Sequence, residues 1–268
     1  MKRRVLTALV AIPIVLGVVG CTNPWPLAVL LIALAVLCSV ELAALFQEGP
    51  KKLIAIPGAT ALMVGLPGLD RWPALRSDVG GILILFLLGL VGGIALIRSP
   101  RQWGWLFVAG YWFGIPLLLL RGLHPGSGSS NWEWALPNPI LIVLLPVWAG
   151  DSAAMLGGKA FGKHKLAPTI SPNKTWEGAI ANFLASIVTG WGVGAWLGYE
   201  PWVGLACGAA VGVFGQLGDL FESMLKRAAG KKDSGTLLPG HGGILDRIDA
   251  LLGAAVPVWL ILWLSGSI

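Results

Sequence analysis

The residues best suited to chemistry in this chain lie in one polar stretch, Ser223–Asp249, between two apolar runs. Carboxylate oxygens are ligands that Mg²⁺ prefers, and lysine and arginine side chains neutralise phosphate groups. A stretch that combines both is typical of a site for a metal ion and several phosphates. Two further acidic residues, Asp219 and Glu222, lie just before the stretch. The ionisable residues within it are Lys226, Arg227, Lys231, Lys232, Asp233, His241, Asp246, Arg247 and Asp249.

A second polar segment follows the acidic residue Asp151, which lies inside an apolar run. Its lysines could surround an anionic ligand, although ordinary positive charge on a cytoplasmic loop is the alternative reading. The composition of Ile170–Gly178, with its Ser-Pro-Asn-Lys-Thr-Trp-Glu run, is too specific for charge alone. The cations of this segment are Lys159, Lys163, Lys165 and Lys174.

Composition identifies the kind of protein that must position these residues. The 268 residues are 56% hydrophobic and only 12% charged, and the mean hydropathy is +0.78. Soluble domains have about 25% charged residues, so we predict an all-α polytopic membrane protein. The net charge of +6 is not gathered on a soluble domain, which argues against nucleic-acid binding.

Apolar runs long enough to cross a bilayer predict about nine transmembrane helices. Polar residues within the spans are few before residue 138, where Glu41 is the main exception. We therefore interpret 1–138 as a scaffold half and 139–268 as a catalytic half with two basic cytoplasmic loops. The predicted spans are 5–21, 26–46, 53–68, 80–97, 104–120, 139–157, 178–197, 202–225 and 249–266.

The distribution of positive charge predicts the orientation. With the N-terminus in the cytoplasm and the C-terminus outside, only Arg71, Arg76 and Arg121 of the 19 lysines and arginines lie outside. The polar loops then face the cytoplasm, as in a bacterial-type inner membrane. Met1–Cys21 also has the basic start and apolar run of a cleaved signal peptide, an alternative that the sequence leaves open.

The eighth span combines glycines with acidic residues. Gly204, Gly208, Gly212 and Gly215 recur at helical spacing and predict close packing of a neighbouring helix on one face. The same face continues with Asp219, Glu222, Ser223 and Lys226. Carboxylates in a membrane mark function by default, although neutralisation by a neighbouring helix is the simpler alternative.

Two further carboxylates, Asp246 and Asp249, open the ninth span. We expect Asp246 to precede the helix and to reach outward, and a plain helix-capping role is the alternative for Asp249. The glycine loop before them, Pro239–Gly243, would let backbone N–H groups approach a phosphate. His241 could equally be an ordinary loop histidine.

The polar stretch resembles the signature of the phosphatidate cytidylyltransferase (CDP-diacylglycerol synthase) family. The region from Asp151 to Gly178 also resembles the family's second motif, with mild departures at Ser152 and Met155. The resemblance extends over 139–268. The residues that match the signature are Ser223, Lys226, Arg227, Lys232, Asp233, Gly235, Leu238, Pro239, His241, Gly242, Gly243, Asp246, Arg247 and Asp249.

The resemblance implies transfer of a cytidylyl group from CTP to phosphatidate, giving CDP-diacylglycerol and pyrophosphate. It implies Mg²⁺, a monovalent cation such as K⁺, and a homodimer. A CTP-dependent polyprenol kinase and an ion-coupled transporter stay as alternatives.

The resemblance also implies roles for individual residues. Asp219 and Asp246 would hold the metal. The predicted catalytic residues are Ser223, Lys226, Arg227, Lys232, Asp233, His241, Arg247 and Asp249. The predicted substrate-binding residues are Lys159, Lys163, Ser171, Lys174, Glu177, Gly242 and Gly243.

Overall fold

The computed structural model describes residues 2–45, 110–125, 133–235 and 242–268. The chain divides into two compact units. One unit comprises Met1–Leu136 with Asp233–Leu245, and the other comprises Pro137–Lys232 with Asp246–Ile268. The segment that begins at Asp233 therefore folds with the N-terminal part of the chain.

The first unit is helical in its described part. Helix α2 packs against α1 and against α3 with the π-helical turn that precedes it. Its described helices are α1 (Lys2–Gly20), α2 (Trp25–Leu45) and α3 (Ile115–Gly122), the last preceded by the π-helical turn Gly110–Gly114.

Helix α2 supplies much of the first unit's core. The side chain of Asn23 accepts a hydrogen bond from the N–H of Trp25 at 3.0 Å, which satisfies a donor at the start of the helix. Ala35, Cys38 and Leu42 of this helix are almost fully buried. The α1 segment is helical in the structure, which leaves the signal-peptide alternative open.

The second unit contains the remaining described helices and a β-hairpin. Its elements are α4 (Leu141–Phe161), β1 (Lys165–Ala167), β2 (Ser171–Thr175), α5 (Trp176–Trp196), α6 (Pro201–Ala210), a π-helical turn (Val211–Gly215), α7 (Gln216–Ala228) and α8 (Leu245–Leu264), whose first residue belongs to the first unit.

The described helices confirm a mainly helical integral membrane protein. Helices α4, α5 and α8, the continuous helix from α6 through α7 and the Trp25–Leu42 part of α2 are long and apolar enough to cross a bilayer. The predicted spans 53–68 and 80–97 lie outside the described residues. The total of nine spans and the orientation of the termini therefore stay predictions.

Glycines allow the helices of the second unit to approach closely. A Cβ atom at Gly190 of α5 would lie 2.6 Å from the Cα of Gly208 in α6, and one at Gly218 of α7 would lie 3.2 Å from the Cα of Gly253 in α8. Small residues at such crossings are typical of membrane helices, where van der Waals packing drives association.

The predicted row of glycines packs against two neighbouring helices rather than one. Gly204, Gly208 and Gly212 lie against α5, whereas Gly215 faces Ala250 of α8. The π-helical turn between α6 and α7 interrupts the regular helical repeat at this point, and such turns often occur at functional sites. The prediction of a single packing face was therefore wrong at Gly215.

The prediction of an all-α fold missed one element, the antiparallel hairpin of β1 and β2. Lys165 pairs with Thr175, and Ala167 pairs with Ser171. Thr175 also begins α5, since its side chain accepts the N–H of Gly178 at 3.2 Å. The hairpin thus leads directly from the end of α4 into α5 and carries Lys165 and Lys174 on its strands.

Candidate active site

The polar side of α7 is largely buried within the protein. Asp219, Glu222, Ser223 and Lys226 are three or four residues apart, so they share one side of the helix. Glu222 is completely buried, Ser223 and Lys226 are buried, and Asp219 is partly exposed. This side of α7 is the framework on which the second unit gathers its carboxylates.

Lys226 joins two carboxylates from different helices. Its Nζ contacts a carboxylate oxygen of Asp246 and lies 3.3 Å from a carboxylate oxygen of Glu222. Glu222 is completely buried, so its carboxylate depends on neighbouring groups of the protein rather than on water. A buried uncompensated charge is strongly destabilising, and the ammonium group of Lys226 compensates part of the negative charge on this face.

Asp246 lies in the first turn of α8 and not before the helix, so the prediction of its position was wrong. Backbone hydrogen bonding extends the helix upstream to Leu245, which is fully buried. Asp249 lies one turn further into α8, is also buried, and accepts the N–H of Ala250 at 2.7 Å. It is therefore placed inside the helix and not at its capping position.

The hairpin brings Lys174 to Asp219. The Nζ of Lys174, on β2, lies 2.7 Å from a carboxylate oxygen of Asp219, and the hydroxyl of Ser223 donates to the other oxygen at 3.4 Å. Both members of the ion pair are partly exposed, with side-chain exposures of 22% for Lys174 and 39% for Asp219. Both predicted metal ligands, Asp219 and Asp246, are thus paired with a lysine.

Two amides connect the acidic residue of α4 to α7. Asn182 of α5 donates to Asp151 at 3.5 Å, and Gln216 of α7 donates to Asn182 at 3.4 Å. Asp151 also lies within electrostatic range of Asp219, Lys174 and Arg247. The carboxylates of α4, α7 and α8 therefore belong to one polar cluster within the second unit.

Two residues predicted to hold substrate or to act in catalysis make contacts within the protein. The guanidinium of Arg227 donates to the carbonyl oxygens of Ile170 at 3.1 Å and Lys231 at 3.2 Å. Glu177 pairs with His164, whose Nδ1 lies 2.7 Å from Oε1 of Glu177. Arg227 ties the hairpin turn to the end of α7, and Glu177 ties the start of α5 to the start of the hairpin.

The other predicted residues occupy more open positions. Ser171 begins β2 and is half-buried. Gly242 has a φ of 78°, a backbone conformation that favours glycine. His241 lies outside the described residues. The exposed members of the predicted set are Lys159, Lys163, Lys232, Asp233 and Arg247.

Sequence reasoning did not assign a role to Asn182 or Gln216, and it mentioned Glu41 only as a polar exception. Each of these residues lies within an apolar helix, and each makes hydrogen bonds to residues of other segments. A polar side chain inside a predicted span was the signal that could have identified all of them.

The chemistry of the residues around Asp219 suits a magnesium ion that is shared with a substrate. No group of three or more His, Cys, Asp or Glu side chains in the described ranges could hold a metal alone. Mg²⁺ is usually bound through one or two carboxylates together with substrate phosphates, so a protein-only cage is not required. The partly exposed carboxylate of Asp219 and the hydroxyl of Ser223 supply the hard oxygen donors that this ion prefers.

Comparison with known proteins identifies the family. The model of the cytidylyltransferase family matches residues 2–265. The chain belongs to this family. The match includes the N-terminal helices, for which the sequence motifs alone gave no assignment, and it includes the polar cluster of the second unit.

Named members of the cytidylyltransferase family align with most of the chain. The phosphatidate cytidylyltransferase of Pseudomonas aeruginosa is 38% identical over 279 aligned positions, which cover 99% of this chain and 98% of that protein. The phosphatidate cytidylyltransferase of Brucella melitensis is 40% identical over 206 positions, covering 71% of each chain. That of Mycobacterium tuberculosis is 41% identical over 157 positions, covering 56% of this chain and 44% of its own.

Proposed function

We propose that this protein transfers a cytidylyl group from CTP to phosphatidate, which gives CDP-diacylglycerol and pyrophosphate. The near full-length similarity to a phosphatidate cytidylyltransferase supports the activity. The structural observation that carries it is the pairing of Lys174 with Asp219 and of Lys226 with Asp246 in one polar cluster. Cations and carboxylates in this arrangement suit a reaction between two polyanions.

The reaction needs positioning more than it needs a base. An oxygen of the phosphatidate phosphate is already anionic, so it can form the new bond to the α-phosphorus of CTP without proton removal. The bond from the α-phosphorus to the oxygen that bridges to the β-phosphate breaks, and pyrophosphate leaves with its electron pair. Catalysis of phosphoryl transfer is mainly positioning and electrostatic stabilisation.

The lysines of the second unit can supply that stabilisation. Lys174 lies on the short hairpin that leads into α5, and its ammonium group is partly exposed. When substrate binds, this group can contact a phosphate oxygen in place of the Asp219 carboxylate. Lys226 is buried and holds Asp246 and Glu222 in place. We therefore assign phosphate binding to Lys174 and charge balance within the carboxylate cluster to Lys226.

Asp219 and Asp246 would hold the magnesium ion, and a monovalent cation such as K⁺ would bind nearby. The metal would supply neutralisation of charge on the substrate phosphates. The two carboxylates would approach the ion from α7 and α8, which cross closely at Gly218 and Gly253.

The reaction would take place at the cytoplasmic face of a bacterial-type inner membrane, with nine spans, the N-terminus inside and the C-terminus outside. The excess of lysine and arginine in the segments assigned to the cytoplasm supports this orientation. CTP is a cytoplasmic nucleotide, whereas phosphatidate lies in the membrane. We propose a homodimer as the assembled form, and we expect no role for nucleic acid.

One experiment tests the reaction against its alternatives. Purified protein is incubated with Mg²⁺, CTP labelled with ³²P at either the α- or the γ-phosphate, and either phosphatidate or a polyprenol, and the lipid is then extracted. The proposal requires label in the lipid from α-labelled CTP only. Transfer of the γ-label to a polyprenol would indicate a kinase, and an absence of labelled lipid in several detergents would leave the transporter alternative.

A further inference from the structure

The carboxylate of Glu41 holds together two separated parts of the polar signature segment. Glu41 is 2% exposed and lies in α2, within a stretch that is apolar enough to cross the membrane. Its Oε1 accepts the N–H of Ile244 at 2.8 Å, and its Oε2 accepts the N–H of Leu245 at 2.9 Å. The hydroxyl of Ser234 donates to Oε2 at 3.2 Å. All four residues belong to the first unit.

These contacts explain why a glutamate occupies a buried position in an apolar helix. A carboxylate in a membrane protein interior is costly unless several donors satisfy it. The first N–H groups of a helix lack partners within the helix, and the positive end of the helix dipole favours a negative charge. Leu245 is the first residue of α8, so Glu41 satisfies these groups, and they in turn stabilise Glu41.

Two glycines of the segment lie so close to the same carboxylate that a side chain would not fit at either position. A Cβ atom at Gly235 would lie 2.8 Å from Oε1 of Glu41. A Cβ atom at Gly243 would overlap Oε2 of Glu41 and the hydroxyl of Ser234. Residues on both sides of the loop, at 234–235 and at 243–245, therefore pack directly against one side chain from the N-terminal half of the chain.

We propose that Glu41 is a positioning residue for cytidylyl transfer, because it fixes the backbone from which Asp246 and Arg247 emerge. Asp246 follows Leu245 directly in the sequence, so a shift of the anchored amides moves the start of α8. Glu41 acts through the backbone and does not contact the substrate. This inference rests on the proposed function, and it assigns a role in the reaction to a residue of the N-terminal half.

The central variant is Glu41→Gln, which keeps the shape of the side chain but turns an NH₂ group towards one of its donors. Misplacement of catalytic groups by about 1 Å can cost about 10²-fold in rate, so we expect kcat to fall by about 10- to 100-fold. Ser39→Ala is the matched control, since Ser39 is buried on the same helix and donates within the helix to the carbonyl of Ala35. The melting temperature of Glu41→Gln should fall further than that of the control, because a buried donor loses its acceptor, so kcat is compared per folded molecule.

A second variant tests whether the carboxylate and its hydroxyl donor act as a unit. Ser234→Ala removes one of the hydrogen bonds that Glu41 accepts from described residues and should lower kcat by a smaller factor. The double variant Glu41→Gln with Ser234→Ala should be little worse than Glu41→Gln alone, because coupled residues do not add. If Glu41→Gln gives no folded protein, unchanged turnover per folded molecule of Ser234→Ala would overturn the proposal.

Hydrogen exchange separates this proposal from the proposed function. Mass spectrometry of peptides that contain Ile244 and Leu245 should detect faster amide exchange in Glu41→Gln and no change in Ser39→Ala. Wild-type turnover of labelled CTP tests the function itself, whereas exchange reports the anchor even in an inactive protein. Wild-type exchange at these amides in Glu41→Gln, or a loss of kcat that Ser39→Ala shares, would overturn the positioning role.

Discussion

Lys174 of the β-hairpin and Asp219 of α7 form an ion pair, with 2.7 Å between Nζ and a carboxylate oxygen. The two residues are 45 positions apart in the sequence. Lys174 belongs to the basic segment after Asp151, and Asp219 lies just before the polar stretch Ser223–Asp249. Their contact makes the hairpin part of the same polar cluster as the end of α7. It also makes Lys174 the residue through which the basic segment after α4 can be tested.

Lys174→Ala should weaken use of CTP while the protein remains folded. Loss of a charged hydrogen bond to a phosphate costs about 1.5–3 kcal/mol, which corresponds to about a 10- to 150-fold fall in kcat/KM. Steady-state kinetics in detergent micelles with varied CTP and phosphatidate would measure it. Lys165→Ala is the control, because Lys165 is an exposed lysine of β1 in the same hairpin. Wild-type kinetics for Lys174→Ala would show that the hairpin is not part of the substrate site.

Gly208→Ala should destabilise the second unit. A Cβ atom at Gly208 would lie 2.7 Å from the Cα of Ile187 in α5, so α5 and α6 would have to separate. Gly192→Ala is the matched control in α5, since a Cβ atom there meets nothing within 4 Å. We expect a lower melting temperature for Gly208→Ala only. The control should be unchanged or more stable by up to about 1 kcal/mol, the helix propensity gained over glycine. Equal melting temperatures would contradict the close crossing.

A reporter fused to the C-terminus tests the orientation. With nine spans and the N-terminus in the cytoplasm, a C-terminal alkaline phosphatase should be active and a C-terminal green fluorescent protein should be dark. The reverse result would change the number of spans by one, and 53–68 is the shortest of the predicted spans.

The sequence predicted the helices of the second unit well because each one is a long apolar run. The predicted spans 139–157 and 178–197 correspond to α4 (Leu141–Phe161) and α5 (Trp176–Trp196). The start of α8 was placed too late, after Asp246, because polar residues at a helix start weaken the apolar signal. The hairpin was missed since its strands are only three and five residues long.

The partners of individual site residues could not be predicted from the sequence. Spacing placed Asp219, Glu222 and Lys226 on one face of α7, but it could not indicate that Lys226 would also contact Asp246 of α8. Such contacts depend on how helices cross, which in turn depends on the glycines of both partners. Glu41 and Leu245, which are in contact, are 204 positions apart in the sequence. The only feature of the sequence that pointed to this contact was an acidic residue within an apolar span.

The most direct test of the account is the magnesium dependence of turnover in Asp219→Asn, Asp246→Asn and the double variant. Asparagine keeps the shape and removes the charge. If the two carboxylates hold one metal with the substrate, each single variant should fold and lose nearly all cytidylyl transfer. The double variant should be little worse than either, because the residues act as a unit. Substantial turnover with wild-type magnesium dependence in either single variant would contradict the assignment of that residue to the metal site.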